Sequence, residues 1–169
     1  MGLVSDLGVS VSANLTKAGD LSTAADPLSW RRGLHLASGT GAGKADLRFA
    51  DTRTLAASAT EDLDLAGVLT DAFGTALTFV RIKGLLISAA AANTNNVIVG
   101  AAAGSPWAAL LGATGTLTLR PGATIALTTG ATDAVTYAVA AGTGDLLKVA
   151  NSAGGTSVAY DIVIIGASA

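Results

Sequence analysis

From Gly84 to Ala169 the chain carries only five charged side chains in 86 residues: Arg120, Asp133, Asp145, Lys148 and Asp161. Soluble domains usually hold roughly a quarter of their residues as Asp, Glu, Lys or Arg. Turn-forming Gly, Asn, Pro and Ser nevertheless cut this half about every eight to twelve residues. Gly84–Leu119 is uncharged, but Asn93, Asn95, Asn96, Gly100, Gly104 and Pro106 interrupt it. No stretch approaches the roughly 20 apolar residues of a spanning helix, so the chain reads as soluble, without a membrane partner. A neutral half of this kind must either hide its outside against neighbours or cover it with Ala, Gly and Thr. Both solutions suit a building block better than a free enzyme.

The totals narrow the field. A chain of 169 residues and 16.4 kDa fits one domain with an arm. At that size roughly two-thirds of the extended surface can be buried without staples. The absence of cysteine removes disulfides, thiolate zinc sites and thiol nucleophiles. A net charge of −2 and a pI near 5.1 give no footprint for nucleic acid. Seventeen of the 22 charged residues precede Gly84, so the two halves face different surroundings. The first cation is Lys17 and Met1–Val11 lacks a long apolar block, which argues against a cleaved secretory signal. Asp6 occupies the position where a myristoylation start needs Ser or Thr.

Alanine is abundant, yet apolar residues mostly alternate or come in short β-branched runs between turn formers, which is the strand pattern. Residues 1–44 read as an extended arm with a Gly-rich link, and residues 45–169 as a β-sandwich domain. In the arm, Val9 and Val11 alternate with Ser10 and Ser12 as one short edge strand. Asp26-Pro27 can open a helical turn that Gly33 closes, and Ser38–Gly43 reads as a flexible link.

Beyond it, Ala45–Ala50 and Arg53–Ser58 flank an expected turn at Asp51-Thr52. Glu61–Ala66 alternates, with Asp62 and Asp64 on one face and Leu63 and Leu65 on the other. Leu77–Ala89 is the longest apolar run, placing Phe79, Arg81 and Lys83 opposite Val80, Ile82 and Gly84. Val97–Val99 follows the Asn93–Asn96 loop, and Trp107–Leu111 reads as a single helical turn with Trp107 plugging the core. Thr116–Leu119, the Pro121-Gly122 turn, Thr124–Thr128, Val135–Val139, Leu146–Ala150 and Ser157–Ile165 complete the series. Asn151–Gly155 reads as a hairpin loop. These short strands predict an all-β chain, an antiparallel β-sandwich of jelly-roll type with an extended N-terminal arm.

Chemical motifs are few. Gly39-Thr40-Gly41-Ala42-Gly43-Lys44 looks like a phosphate loop, but Ser38 and Ala45 stand where the motif needs Gly and a hydroxyl. Glu61, Asp62, Asp64 and Asp71 follow strand alternation rather than the bent spacing of a calcium loop. His35 is the sole histidine, too little for a zinc site, and no nucleophile elbow accompanies it. No catalytic, metal or cofactor site is expected. Trp30, Arg31 and Arg32, with Leu34, are the candidate partner contacts, because Trp and Arg dominate interface hot spots. The alternative for Trp30 is folding back on its own domain.

Leu63-Asp-Leu-Ala-Gly-Val-Leu-Thr-Asp-Ala-Phe-Gly74, Thr78–Lys83, Asn93–Val97, Arg120-Pro121-Gly122, Ala141–Val149 and Tyr160–Gly166 together resemble small structural proteins of tailed bacteriophages, of the head-decoration or minor-capsid kind. The resemblance covers about residues 60–166 and transfers no individual functional residue. It implies a non-enzymatic β-sandwich that sits on an icosahedral shell, often as a homotrimer, and clamps the major capsid protein. The expected location is the capsid surface of the virion, with the host cytoplasm before assembly. A carbohydrate-binding or adhesion module on a tail or fibre is the alternative. Such sites stack sugars on exposed aromatics, and the chain has seven aromatic residues.

Overall fold

The computed structural model describes residues 2–169. Twelve strands and one helical turn follow one another: β1 (Ser5–Ala18), β2 (Thr23–Ser38), β3 (Lys44–Ala45), β4 (Leu47–Leu55), β5 (Thr60–Asp64), β6 (Arg81–Ala89), β7 (Val97–Gly100), α1 (Ala108–Leu111), β8 (Thr116–Leu119), β9 (Thr124–Thr128), β10 (Tyr137–Ala138), β11 (Leu146–Asn151) and β12 (Val158–Ala167). The chain is therefore nearly all-β, as the alternation predicts. Among the described residues no helix is long and apolar enough to cross a membrane.

Two sheets make the body. In one, β4 pairs with β12, β12 with β6, and the far edge of β6 takes β9 and then β10. The other runs β5-β11-β7-β8. All these pairings are antiparallel. Alternate residues of both sheets turn toward a single apolar cluster. Tyr160, Ile162 and Ile164 of β12 meet Leu63 of β5 and Val97 and Val99 of β7 there, each at most 2 % exposed. Trp107 plugs this cluster from the residue before α1, its Nε1 donating to the Ala138 carbonyl at 2.9 Å. Its ring meets Tyr137 edge-on.

Several local expectations are corrected. No turn forms at Asp51-Thr52: β4 runs straight through, because β12 offers an unbroken partner from Val158 to Gly166. There, Thr52 donates its hydroxyl to Asp161 at 2.6 Å. Asn151–Gly155 is no hairpin loop, since β11 and β12 belong to different sheets. It is a crossover held by amides: Asn151 Nδ2 donates to the Ala56 and Thr156 carbonyls, and Asn95 Nδ2 donates to Asn151 Oδ1. The strand expected over Val135–Val139 shrinks to Tyr137–Ala138, with Val135 exposed.

The longest apolar run also changes face midway. Gly84 pairs with Ile165 and Ile82 with Gly166, leaving Lys83 as an extra residue in β6. Such a bulge shifts the alternation by one position. Ile82 and Leu85, on opposite sides by strict alternation, are therefore both buried in the core, and Phe79 joins them across the bend at Val80.

Candidate functional site

The N-terminal segment holds the most unusual surface of the molecule. β1 and β2 pair along fourteen rungs, from Ser5 opposite Leu36 to Ala18 opposite Thr23. At roughly 3.4 Å per residue this two-stranded ribbon is about 45 Å long. A four-residue turn closes it, with the Gly19 N–H donating to the Ser22 carbonyl at 2.8 Å. The expected helical turn at Asp26-Pro27 does not form; Pro27 lies in β2 opposite Asn14. Both strands of a lone ribbon are edges, where a missing N–H is tolerated.

Residues directly opposite one another in an antiparallel pair share a face. One face of the ribbon therefore carries Leu7, Val9, Val11, Ala13 and Leu15 of β1 beside Leu34, Arg32, Trp30, Leu28 and Asp26 of β2. The other carries Ser10, Ser12, Asn14 and Thr16 beside Arg31, Ser29, Pro27 and Ala25. The ribbon is amphipathic, yet only its root is covered. Leu34 and Leu36 are buried there with Ala45 of β3 and Ile165 of β12, and Leu3, Leu7 and Val163 pack around them. Every residue from Ser10 to Gly33 is exposed. Val11, Leu15, Leu28 and Trp30 are 49 % to 74 % exposed and Leu21 at the tip is fully so.

The four candidate contacts thus part company. Trp30 stays on the free ribbon opposite Val11 and does not fold back onto the body. Arg32 shares its face, Arg31 lies on the polar face, and Leu34 is enclosed by the chain's own root. Val11, Leu15 and Leu28 belong to the same surface but are not among the contacts expected from the sequence. Their signal was present in the alternation continuing past Val11 and in Leu28-x-Trp30, but Asp26-Pro27 masked it.

The root is fixed by a buried cation. Lys83, 1 % exposed, donates from Nζ to the carbonyls of Thr40 at 3.2 Å, Gly41 at 2.5 Å and Lys44 at 2.5 Å. Burial pushes its ammonium below the ordinary lysine value, and Arg81 adds to the effect. The segment resembling a phosphate loop is therefore a carbonyl cage. It turns oxygen, not N–H, toward its guest, the opposite polarity from an anion site. Nor is it a free link, since three backbone bonds tie Ala37, Gly39 and Lys44 within it. Gly84 lets Leu7 press against β6; a Cβ there would collide with the Leu7 side chain.

Several other charged groups form structural contacts. Glu61 accepts from Arg53 Nε at 2.8 Å and from the Tyr160 hydroxyl at 2.6 Å, while Arg53 also reaches Asp51 at 2.8 Å. Burial, reinforced by the bond to Glu61, raises the Tyr160 phenol well above its ordinary value. The bond to Glu61 raises the Arg53 guanidinium further above its own. Asp64 accepts the Ala66 N–H, and Asp71 the N–H groups of Phe73 and Thr75, so the acidic residues close turns. Among the described residues no group of three or more His, Asp or Glu could hold a metal ion. His35 is exposed and sits 2.8 Å from Asp6, its neighbour across the ribbon.

Comparison of the chain with family models, with curated proteins and with solved structures gives no match.

Proposed function

We propose that this chain is a structural virion protein of a tailed phage, one that decorates the capsid and reinforces it through contacts between subunits, and that it is not an enzyme. The observation that carries the reading is the free ribbon, whose apolar face stands in water over most of its length. Patches of this kind mark surfaces that other protein covers. The neutral second half offers sheet surfaces that approach a neighbour without desolvating charge, and burial there is worth roughly 25 cal/mol per Å². Copies of the chain would associate with one another and with the major capsid protein, moving from the host cytoplasm to the capsid surface. The body is read as a jelly roll. Strand order β4-β12-β6-β9 against β5-β11-β7-β8 supports this, being the order in which eight strands wind as two Greek keys.

The test is to shorten the ribbon and keep its root. Removing residues 11–30 and joining Ser10 to Arg31 through Asn-Gly leaves Leu7, Leu34 and Leu36 in place. Particles assembled with this variant should lose the protein, whereas intact chain should be detected over the heads by immunogold labelling. Full occupancy by the shortened chain would refute the ribbon's role, and the absence of the intact chain from particles would refute the reading as a whole. Label confined to tails would favour the adhesion alternative. One observation speaks for that alternative: Phe73 is 74 % exposed on the turn that Asp71 closes, a ring free to stack on a sugar. Glycan-array binding that Phe73→Ala abolishes would establish it.

A further inference from the structure

A two-stranded ribbon is marginal in water by itself, and one with an apolar face needs a second layer. The charges on that face indicate which layer fits. Arg32 lies three residues toward the root from position 29, and Asp26 three residues toward the tip. Position 29 is also close to the middle of β2, which pairs from Thr23 to Leu36. We infer that the apolar face of the ribbon docks on the same face of a second copy of this chain, antiparallel, about a two-fold axis at the rung of Ser12 and Ser29.

In that arrangement β2 lies over the β2 of the second copy, and β1 over its β1. Arg32 meets Asp26, Trp30 meets Leu28, Val9 meets Leu15 and Val11 meets Ala13, each contact occurring twice. This is the self-complementary pattern of an isologous interface. A parallel two-fold would instead place Arg32 over Val9 and Asp26 over Leu15, leaving both charges against apolar side chains. A parallel three-fold bundle would bring the three Arg32 side chains to one height and the three Asp26 to another, where like charges repel. The antiparallel register alone pairs the opposite charges.

The length also closes. Because the axis falls near mid-ribbon, the exposed stretches of the two ribbons overlap and each tip arrives beside the other copy's root. There a groove of about 370 Å³ opens between Ser5–Gly8 of β1 and Leu86, Ala126 and Val163 of the sheet. Leu21, fully exposed at the tip, is the side chain that would enter it. The inference rests on the premise that other protein covers the ribbon, and it names that protein as a second copy.

The chain contains no cysteine, so introduced thiols report without background. Facing sheets lie about 10 Å apart, too far for a direct disulfide, so a short bismaleimide is the appropriate bridge. Mixed Val9→Cys and Leu15→Cys chains should cross-link to each other, and Val9→Cys alone, its two copies about 20 Å apart along the ribbon, should not. In sedimentation velocity the full-length chain should be a dimer. Arg32→Asp and Asp26→Arg should each weaken it by about tenfold, and together restore it, because the reversed pair is again opposite in sign. Both residues are exposed on the ribbon, so the melting temperature of the body should not move. A Val9–Val9 cross-link, no cross-link, a monomer at all concentrations, or failure of the double reversal would each overturn the inference. A trimer joined through the sheets would overturn it too, while leaving the assembly reading standing.

Discussion

Replacing Lys83 with Met tests whether the carbonyl cage holds the root of the ribbon together. The wild-type ammonium makes two bonds at 2.5 Å and one at 3.2 Å, to Gly41, Lys44 and Thr40. Hydrogen bonds to a charged group contribute about 1.5–3 kcal/mol each, which puts two good bonds and one long one near 4–7 kcal/mol. Two effects reduce this figure. The loop lies at the surface, so its freed carbonyls regain water, and Met refills the space of the lysine stem. A net loss of about 2–4 kcal/mol remains, somewhat below the about 3–5 kcal/mol for breaking a buried ion pair, because the carbonyls left behind are neutral. At about 2–4 °C per kcal/mol for a chain of this size, the melting temperature should fall by about 5–15 °C. Urea unfolding followed by tryptophan fluorescence measures the change directly. Hydrogen exchange should add a local signature, as the N–H groups of Ala37, Gly39 and Lys44 lose the protection of their bonds within the loop. Lys44→Met is the control, because Lys44 contributes its carbonyl to the cage and not its side chain. A Lys83→Met chain within about 0.5 kcal/mol of wild type, the range of ordinary surface changes, would refute the reasoning.

The same cation sets a pH dependence. Its folded pKa is lowered from 10.5, so the unfolded chain binds more protons in the window just below that value. Stability from this group therefore rises with pH through that window, a slope that Lys83→Met should lack when urea midpoints are compared from pH 8 to 10. Tyr160 acts in the opposite sense: its folded pKa is raised from 10.0, so its contribution is complete below 10 and falls as pH climbs higher. Tyr160→Phe should remove that alkaline loss and, by leaving Glu61 Oε1 without its donor, cost about 1 kcal/mol at neutral pH in a urea titration. Gly166→Ala should cost about 1–3 kcal/mol by thermal melting, because its Cβ would meet the Arg81 carbonyl and the Phe79 ring beside the bulge.

What could be read from the sequence was whatever depended on neighbours along the chain. Asp62 and Asp64 opposite Leu63 and Leu65, the turn at Pro121-Gly122 between β8 and β9, and the Trp107 plug all rest on local alternation or turn chemistry. Facts about distant partners were not legible. Nothing within Asn151–Gly155 says whether the next strand returns to the same sheet or crosses to the other. The bulge at Lys83 follows from its register against β12, some eighty residues later. The candidate contact surface was half visible: Trp30 and Arg32 were named from residue type, but the strand around them was hidden by Asp26-Pro27, which favours a helix start only where no partner strand competes. Leu34 illustrates the converse, an apolar residue whose partner is its own body.

The central place of β12 has a kinetic consequence. This strand separates β4 from β6, pairing Leu55 with Val158 and Ala89 with Tyr160, although it is made about a hundred residues after β4 and about seventy after β6. Neither earlier strand can find its place in the sheet until the later one arrives between them. On the ribosome the nascent chain must therefore wait with two open strand edges, exposed to wrong pairings, and a single late insertion closes the molecule. Refolding should accordingly be slow and sensitive to protein concentration, the more so because the ribbon, built from adjacent segments, forms early and is free to seek its mate before the body is complete.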